Sequence, residues 1–153
     1  MRRHSRGFTL LELMVVIAVI AIVLGLVGLV SGSNPARQAR EEAGQVLQLI
    51  QQVREQAVIE GREYGVRVQR NEYQLWRLEP QGWRQAGAVH RLAQGVHLQL
   101  ELEGQRLAFD SLAPQLLLLS SDEVSAFTLS FLFEELVRAR LVSDGVGELV
   151  VEA

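Results

Sequence analysis

The sequence predicts an α+β protein in which one long N-terminal helix, apolar in its first half and amphipathic in its second, packs through the second half on a small antiparallel two-sheet β domain. Three observations predict this. Residues 8–30 form an apolar run whose only charge is Glu12. From Pro35 to Glu60 the apolar residues recur at intervals of three and four, the period of one helix face. After Gly61 the period changes to two, in short runs separated by turn residues and with no second helical pattern. A chain of 153 residues has room for one modest domain plus an appended segment.

The first element begins after a basic leader that holds Arg2, Arg3 and Arg6. Within residues 8–30 the only polar side chains are Thr9 and Glu12. As a helix this run covers ~35 Å, enough to span a bilayer's hydrocarbon core. The leader's positive charge, with no comparable cluster directly after the run, predicts a cytoplasmic N-terminus and an exported remainder. A cleaved secretory signal is the alternative, and Ser31-Gly32-Ser33 offers a small-residue cleavage site. Such signals have apolar cores of roughly 7 to 15 residues, and this run is longer. Ala18, Ala21, Gly25, Gly28 and Gly32 are spaced three and four apart, which places them along one side of a helix where a second helix could approach closely. The general abundance of glycine and alanine in membrane helices accounts for the same letters.

Ser33-Asn34-Pro35 interrupts the helix: Asn34 suits an N-cap and Pro35 a first helical position. Beyond it Ala36, Ala39, Ala43, Val46, Ile50, Val53 and Ala57 make the core-facing stripe, and Gly61 closes the helix. The seam is too short and too alanine-rich for a dimeric coiled coil. Tyr64, Val66 and Val68 then alternate with other positions, Asn71-Glu72 turns the chain, and residues 73–78 return as a second arm that Pro80-Gln81-Gly82 closes. Residues 96–102 and 105–109 read as a hairpin about Glu103-Gly104, and 116–119 as a short apolar strand. Phe127, Leu129, Phe131 and Phe133 alternate along the next strand, and residues 137–142 and 148–151 close a last hairpin about Ser143-Asp144-Gly145.

Composition narrows the chemistry. The net charge is -3, with no lysine among the 15 basic residues. Without residues 1–7, twelve arginines face eighteen acids, a poor counterion for phosphate, so nucleic acid is not an expected partner. The absence of cysteine removes disulfides, thiol nucleophiles and thiolate-ligated zinc, and leaves the redox compartment open. His4, His90 and His97 form no metal-ligand spacing, and no nucleophile elbow or phosphate-binding glycine loop is present. Asp122-Glu123 and Glu134-Glu135 read as strand neighbours pointing to opposite faces, hence solvated surface rather than a calcium loop. Trp76 and Trp83 flank the turn at Pro80, either as half-buried packing or as an aromatic contact. No catalytic residue, cofactor or metal is expected.

The stretch RGFTLLEL resembles the start of the type IV pilin and pseudopilin family. There a basic leader ends in glycine, a dedicated peptidase cuts after it, the new N-terminal residue is methylated, and the fifth mature residue is glutamate. The resemblance implies cleavage between Gly7 and Phe8, N-methylation of Phe8, and an assembly role for Glu12. That role is pairing with the N-terminal amine of a neighbouring subunit; snorkelling, or pairing with the amine of its own Phe8, is the local alternative. REYGVRV, NEYQLWRL, Gly82-Trp83 and LLLLSSDEVSAFTLSF resemble the H-type minor pseudopilins of type II secretion systems, which join a long helix to two antiparallel sheets. This implies a leader over 1–7, a transmembrane helix over 8–30, an amphipathic helix over 35–61 and a periplasmic β domain over 62–153. It also implies a structural subunit near the tip of a periplasmic fibre. Its partners would be the major and other minor pseudopilins, the prepilin peptidase and the inner-membrane secretion platform. A minor pilin of a type IV pilus or competence system would share every N-terminal feature. The acidic C-terminal part, where Arg138 and Arg140 face seven acids, disfavours a DNA-uptake role. A membrane-anchored periplasmic enzyme is the remaining alternative, and it lacks a site constellation.

Overall fold

The computed structural model describes residues 10–30 and 34–152, and the side chains of these except 22–30. The chain divides after Ser33 into two units. The first contains α1, Leu10–Val30. A segment whose one polar side chain is Glu12 can satisfy its backbone N–H and C=O groups by itself only as a helix. Every described side chain of α1, over residues 10–21, is exposed. That stretch of twelve residues is shorter than a bilayer crossing, and among the described residues no helix is long and apolar enough to cross a membrane.

The second unit begins with α2, Pro35–Glu60. The Asn34 side chain accepts from the N–H of Ala36 (3.1 Å) and of Arg37 (3.4 Å), and Pro35 takes the first position, where no N–H is needed. At the other end Gly61 adopts a left-handed φ of 61°, so that its N–H reaches Val58 O and the Arg62 N–H reaches Ala57 O. The buried stripe is Ala39, Glu42, Ala43, Val46, Ile50, Val53 and Ala57. Glu42 is the charged member.

The strands are β1 (Tyr64–Val68), β2 (Glu72–Glu79), β3 (Gly82–Gln85), β4 (His90–Arg91), β5 (Val96–Leu102), β6 (Gln105–Arg106), β7 (Leu116–Leu118), β8 (Phe127–Phe133), β9 (Leu136–Ser143) and β10 (Val150–Glu152). They form two antiparallel sheets, β3-β2-β1-β7 with β4 also on β2, and β10-β9-β8-β5-β6. The α+β, two-sheet class is as the sequence predicts, with local corrections. Pro80 and Gln81 do not close a unit but turn the chain into β3, which pairs Trp83 with Leu78. The first turn falls at Arg70-Asn71, and Glu72 already belongs to β2. Beyond β6 the chain leaves the sheet, and residues 107–115 cross to β7. Glu134 and Glu135 are not strand neighbours: with φ of 50° and 61° they make the two-residue turn between β8 and β9. Such left-handed non-glycine residues cost on the order of 1 kcal/mol each.

Two details position the edge of the first sheet. A Cβ on Gly65 would lie 2.7 Å from the Pro114 ring, so glycine is what lets the crossing segment lie on the sheet. Next to it the Gln115 side chain takes the place of a strand: Val68 N–H donates to Oε1 (2.8 Å), and Nε2 donates to Val68 O (3.0 Å). Gln115 thus continues the ladder that β7 leaves after Leu116.

One cluster of buried side chains joins α2 to both sheets. It includes Ala43, Val46, Ile50 and Val53 from the helix, Val66 and Val68 from the first sheet, and Leu98 and Phe131 from the second. Arg54 fastens the helix at its edge. Its guanidinium grips the Asp122 carboxylate twice, Nε to Oδ1 at 2.6 Å and Nη2 to Oδ2 at 3.1 Å, and Nη1 donates to Gly147 O at 3.2 Å. Asp122 is held there at a left-handed φ of 71°. The Asp144 carboxylate orders the same loop by accepting from the N–H of Gly147 (2.7 Å) and Val146 (3.1 Å), bonds that hold its pKa below the ordinary range. Arg54→Ala is expected to cost about 1 to 2 kcal/mol, discounted because the Asp122 side chain is exposed. Urea denaturation of parent and variant measures the difference, and an unchanged midpoint would mean that the clamp contributes nothing.

Candidate functional site

Residues tied to function by the N-terminal pattern fall mostly on or before α1. Gly7, Phe8 and Gly32 lie outside the described residues, while Glu12, Ala18, Ala21, Gly25 and Gly28 lie on α1. Glu12 occupies the first turn, where the amide dipoles favour a carboxylate. Along residues 10–21 large apolar side chains point outward on every side, among them Leu10, Met14 and Ile17. A helix apolar all round is built for burial in lipid or among other helices.

In the second unit the side chains of unusual environment are structural in kind. Glu42, 7% exposed, accepts from the Ala93 N–H (2.9 Å) and lies 3.2 Å from His90 Nε2. The His90 ring stacks on Tyr73 with centroids 4.7 Å apart. Burial, with the Glu42 charge adding to it, pushes the Tyr73 hydroxyl up to about 12. His90 is therefore a strand residue tying β4 to α2, not part of a solvated loop. At the far end of the helix the Tyr64 hydroxyl donates to Glu60 Oε2 (2.7 Å), and burial followed by this bond raises its pKa.

The outward face of the second sheet is a trough of about 670 Å3 that includes Thr128, Ser130 and Arg140. Hydroxyl nucleophiles need a base within reach. Neither described histidine serves them: His90 faces Glu42 at 3.2 Å, and His97 lies 3.5 Å from Glu135 Oε1 at the trough's end. Among the described residues no group of three side chains could hold a metal ion. On the outward face of the first sheet lie Trp76 and Trp83, both half-buried, with the Arg67 guanidinium 5.8 Å from the Trp76 ring centroid.

Among the described residues the geometry is that of an exposed apolar helical stretch and a two-sheet domain with outward faces. Comparison with known proteins agrees. A prokaryotic N-terminal methylation motif matches residues 2–28. The family profile described as type II transport protein GspH matches residues 42–146. The chain belongs to the GspH family. Type II secretion system protein H of Pseudomonas aeruginosa is 39% identical to it, over 83% of each chain. Among solved structures, two of the minor pseudopilin EpsH from the type II secretion system of Vibrio cholerae are 27% identical. One superposes with a TM-score of 0.67 over 76% of this chain and 96% of EpsH, the other with 0.68 over 76% and 94%. The solution structure of E. coli GspH, 15% identical over 80% of this chain and 92% of that one, shares the fold with a TM-score of 0.67. In this GspH-family chain the matched region begins at Glu42, the acid that ties α2 to residues 90–93, and runs through both sheets to Val146.

Sequence reading alone did not reveal the Glu42–His90 tie, the Arg54 clamp or the Glu134-Glu135 turn. The first two join residues 48 and 68 apart in the chain, which no local pattern encodes. The third lacks the Asn-Gly or Gly-Gly that marks such turns.

Proposed function

We infer that the chain is a minor pseudopilin, a structural subunit of the pseudopilus of a type II protein secretion system. The observation that carries this is the relative 39% identical over 83% of both chains, named type II secretion system protein H. The EpsH structures, described as a minor pseudopilin, support it. No observation favours the type IV pilus or enzyme alternatives over it.

On this reading residues 1–7 are a leader removed by the prepilin peptidase, and Phe8 becomes the methylated N-terminus. The apolar run 8–30 crosses the inner membrane with its N-terminus cytoplasmic, supported by the arginines before it and by the outward apolar side chains of residues 10–21. On assembly the same run leaves lipid for the core of the fibre, where small residues at Ala18, Ala21, Gly25, Gly28 and Gly32 admit close neighbours. The domain from Asn34 onward then sits in the periplasm near the fibre tip and contacts the major and other minor pseudopilins. It contributes surface, not chemistry.

Intact-mass measurement on protein made with and without the prepilin peptidase tests the reading. The expected product lacks residues 1–7 and carries one added methyl group at Phe8. A mature chain starting between Ser31 and Ala36 would show cutting by a signal peptidase and overturn the assignment.

A further inference from the structure

In the first sheet Tyr64, Val66, Val68 and Tyr73 are buried, so the alternate positions of β1 and β2 face outward. One face of such a sheet is ordinarily polar. Here Trp76 stands directly opposite Gly65, which stands opposite Leu117, and Trp83 stands opposite Leu78. Pro114 fills the space above Gly65, and Leu112, 81% exposed, precedes it on the crossing segment. Arg67 lies over the Trp76 ring. At the margin Glu72 and Arg91 pair with each other at 3.5 Å, which leaves Arg67 as the net charge of the face in a chain whose total is -3.

We propose that this face docks a neighbouring pseudopilin, which presents a carboxylate to Arg67 and aliphatic side chains to Trp76, Trp83 and Leu78. The proposal rests on the pseudopilus reading. Tryptophan and arginine are the residues that most often carry interface energy. A guanidinium stacked on an aromatic ring can still present N–H groups to a carboxylate. Arg67 Nη2 lies 2.8 Å from the Gln69 amide oxygen in the orientation that satisfies both groups, so an incoming carboxylate would share or replace that bond. A cation on an otherwise acidic protein attracts an acidic segment and repels basic ones. Four strands ~4.8 Å apart and five residues at ~3.3 Å give a face of roughly 300 Å2, below the ~800 Å2 per partner of a stable complex. The face is therefore the anchor of a wider contact that continues beyond the sheet.

The test uses the full-length protein in cells that express its co-encoded pseudopilins, each with a different tag, and a photo-cross-linking residue at Leu78. The expected result is an adduct with one tagged pseudopilin. Arg67→Glu lowers its yield at least about tenfold, Arg67→Lys, which keeps the charge but loses the fork, gives an intermediate yield, and Gln51→Glu, on the exposed face of α2, leaves it unchanged. Protease resistance of the domain is followed in each variant, and a charge-reversed acidic residue on the partner restores the Arg67→Glu adduct. The proposal falls if no tagged pseudopilin is captured, or if Arg67→Glu cross-links like the parent. In either case normal removal of residues 1–7 leaves the pseudopilin reading standing, whereas failure of that cleavage removes it.

Discussion

Replacing Ile50 with aspartate is expected to destabilise the two-sheet domain by more than about 4 kcal/mol, enough to unfold it if its stability lies in the ordinary range of ~5 to 15 kcal/mol. Ile50 is fully buried and belongs to the cluster that joins α2 to both sheets. Losing its side chain forfeits about 2 kcal/mol of burial. The new carboxylate must then ionise with no counterion in an apolar cluster or remain protonated there, and either adds several kcal/mol. Ile50→Val, which removes one methylene, should cost only about 1 kcal/mol. Chemical denaturation of a chain beginning at Asn34 measures both. An aspartate variant that unfolds with the parent would mean that α2 does not rest on the sheets through this residue.

Glu12→Ala is expected to abolish assembly without disturbing the domain. On the proposed reading the carboxylate lies four residues after the new N-terminus, about 6 Å along the helix and so near the membrane boundary. Its cost in lipid is then below the ~2.5 to 3.5 kcal/mol of a charge at the bilayer centre. If, as the pilin resemblance implies, the same carboxylate pairs in the fibre with the amine of a neighbouring Phe8 in a dry setting, removing one partner leaves the other charge buried and costs about 3 to 5 kcal/mol. The alanine variant should therefore be inserted and cleaved normally, yet be missing from cross-linked pseudopilin complexes and fail to restore secretion in a deletion strain. Glu12→Gln should be intermediate, since it keeps an acceptor without the charge. Full secretion by Glu12→Ala would reduce the glutamate to a tolerated residue near the membrane edge.

Legibility followed the range of the forces. The amphipathic helix could be read because its caps, Asn34 with Pro35 and Gly61, and its stripe are all local. The strands β1, β5 and β8 could be read because apolar residues recur at every second position of the sequence, although only β5 alternates buried and part-exposed side chains, from Val96 to Glu101, Gly65 in β1 and Ser130 and Leu132 in β8 being buried as well. β3 could not: Trp83-Arg84-Gln85 has no apolar alternation, and it is a strand because β2 offers it a free edge. β4 is two residues long and held from outside, through β2 and through Glu42. Glu42 reads as another polar residue on a helix, yet it occupies the core stripe because the Ala93 N–H needs an acceptor there. The proposed roles of Gly7, Phe8 and Glu12 rest on the order of letters alone, and the first two lie outside the described residues. The outward face of the first sheet was legible only as two tryptophans, since its continuity depends on which strands become neighbours.

The Gln115 side chain has a bearing on how this protein lives among its relatives. An open ladder is an invitation to exchange segments with a neighbouring molecule. Beyond Leu116, β1 would be such an opening at Val68, but both of Val68's bonds on that side are already taken by one side chain from the same molecule. A foreign strand would have to evict a glutamine tethered beside Pro114, giving up two bonds before it gained any. On the proposed reading the subunit would therefore meet its neighbours by its faces while its pairing at Val68 stays private, so that monomers entering the fibre remain interchangeable parts rather than entangled ones.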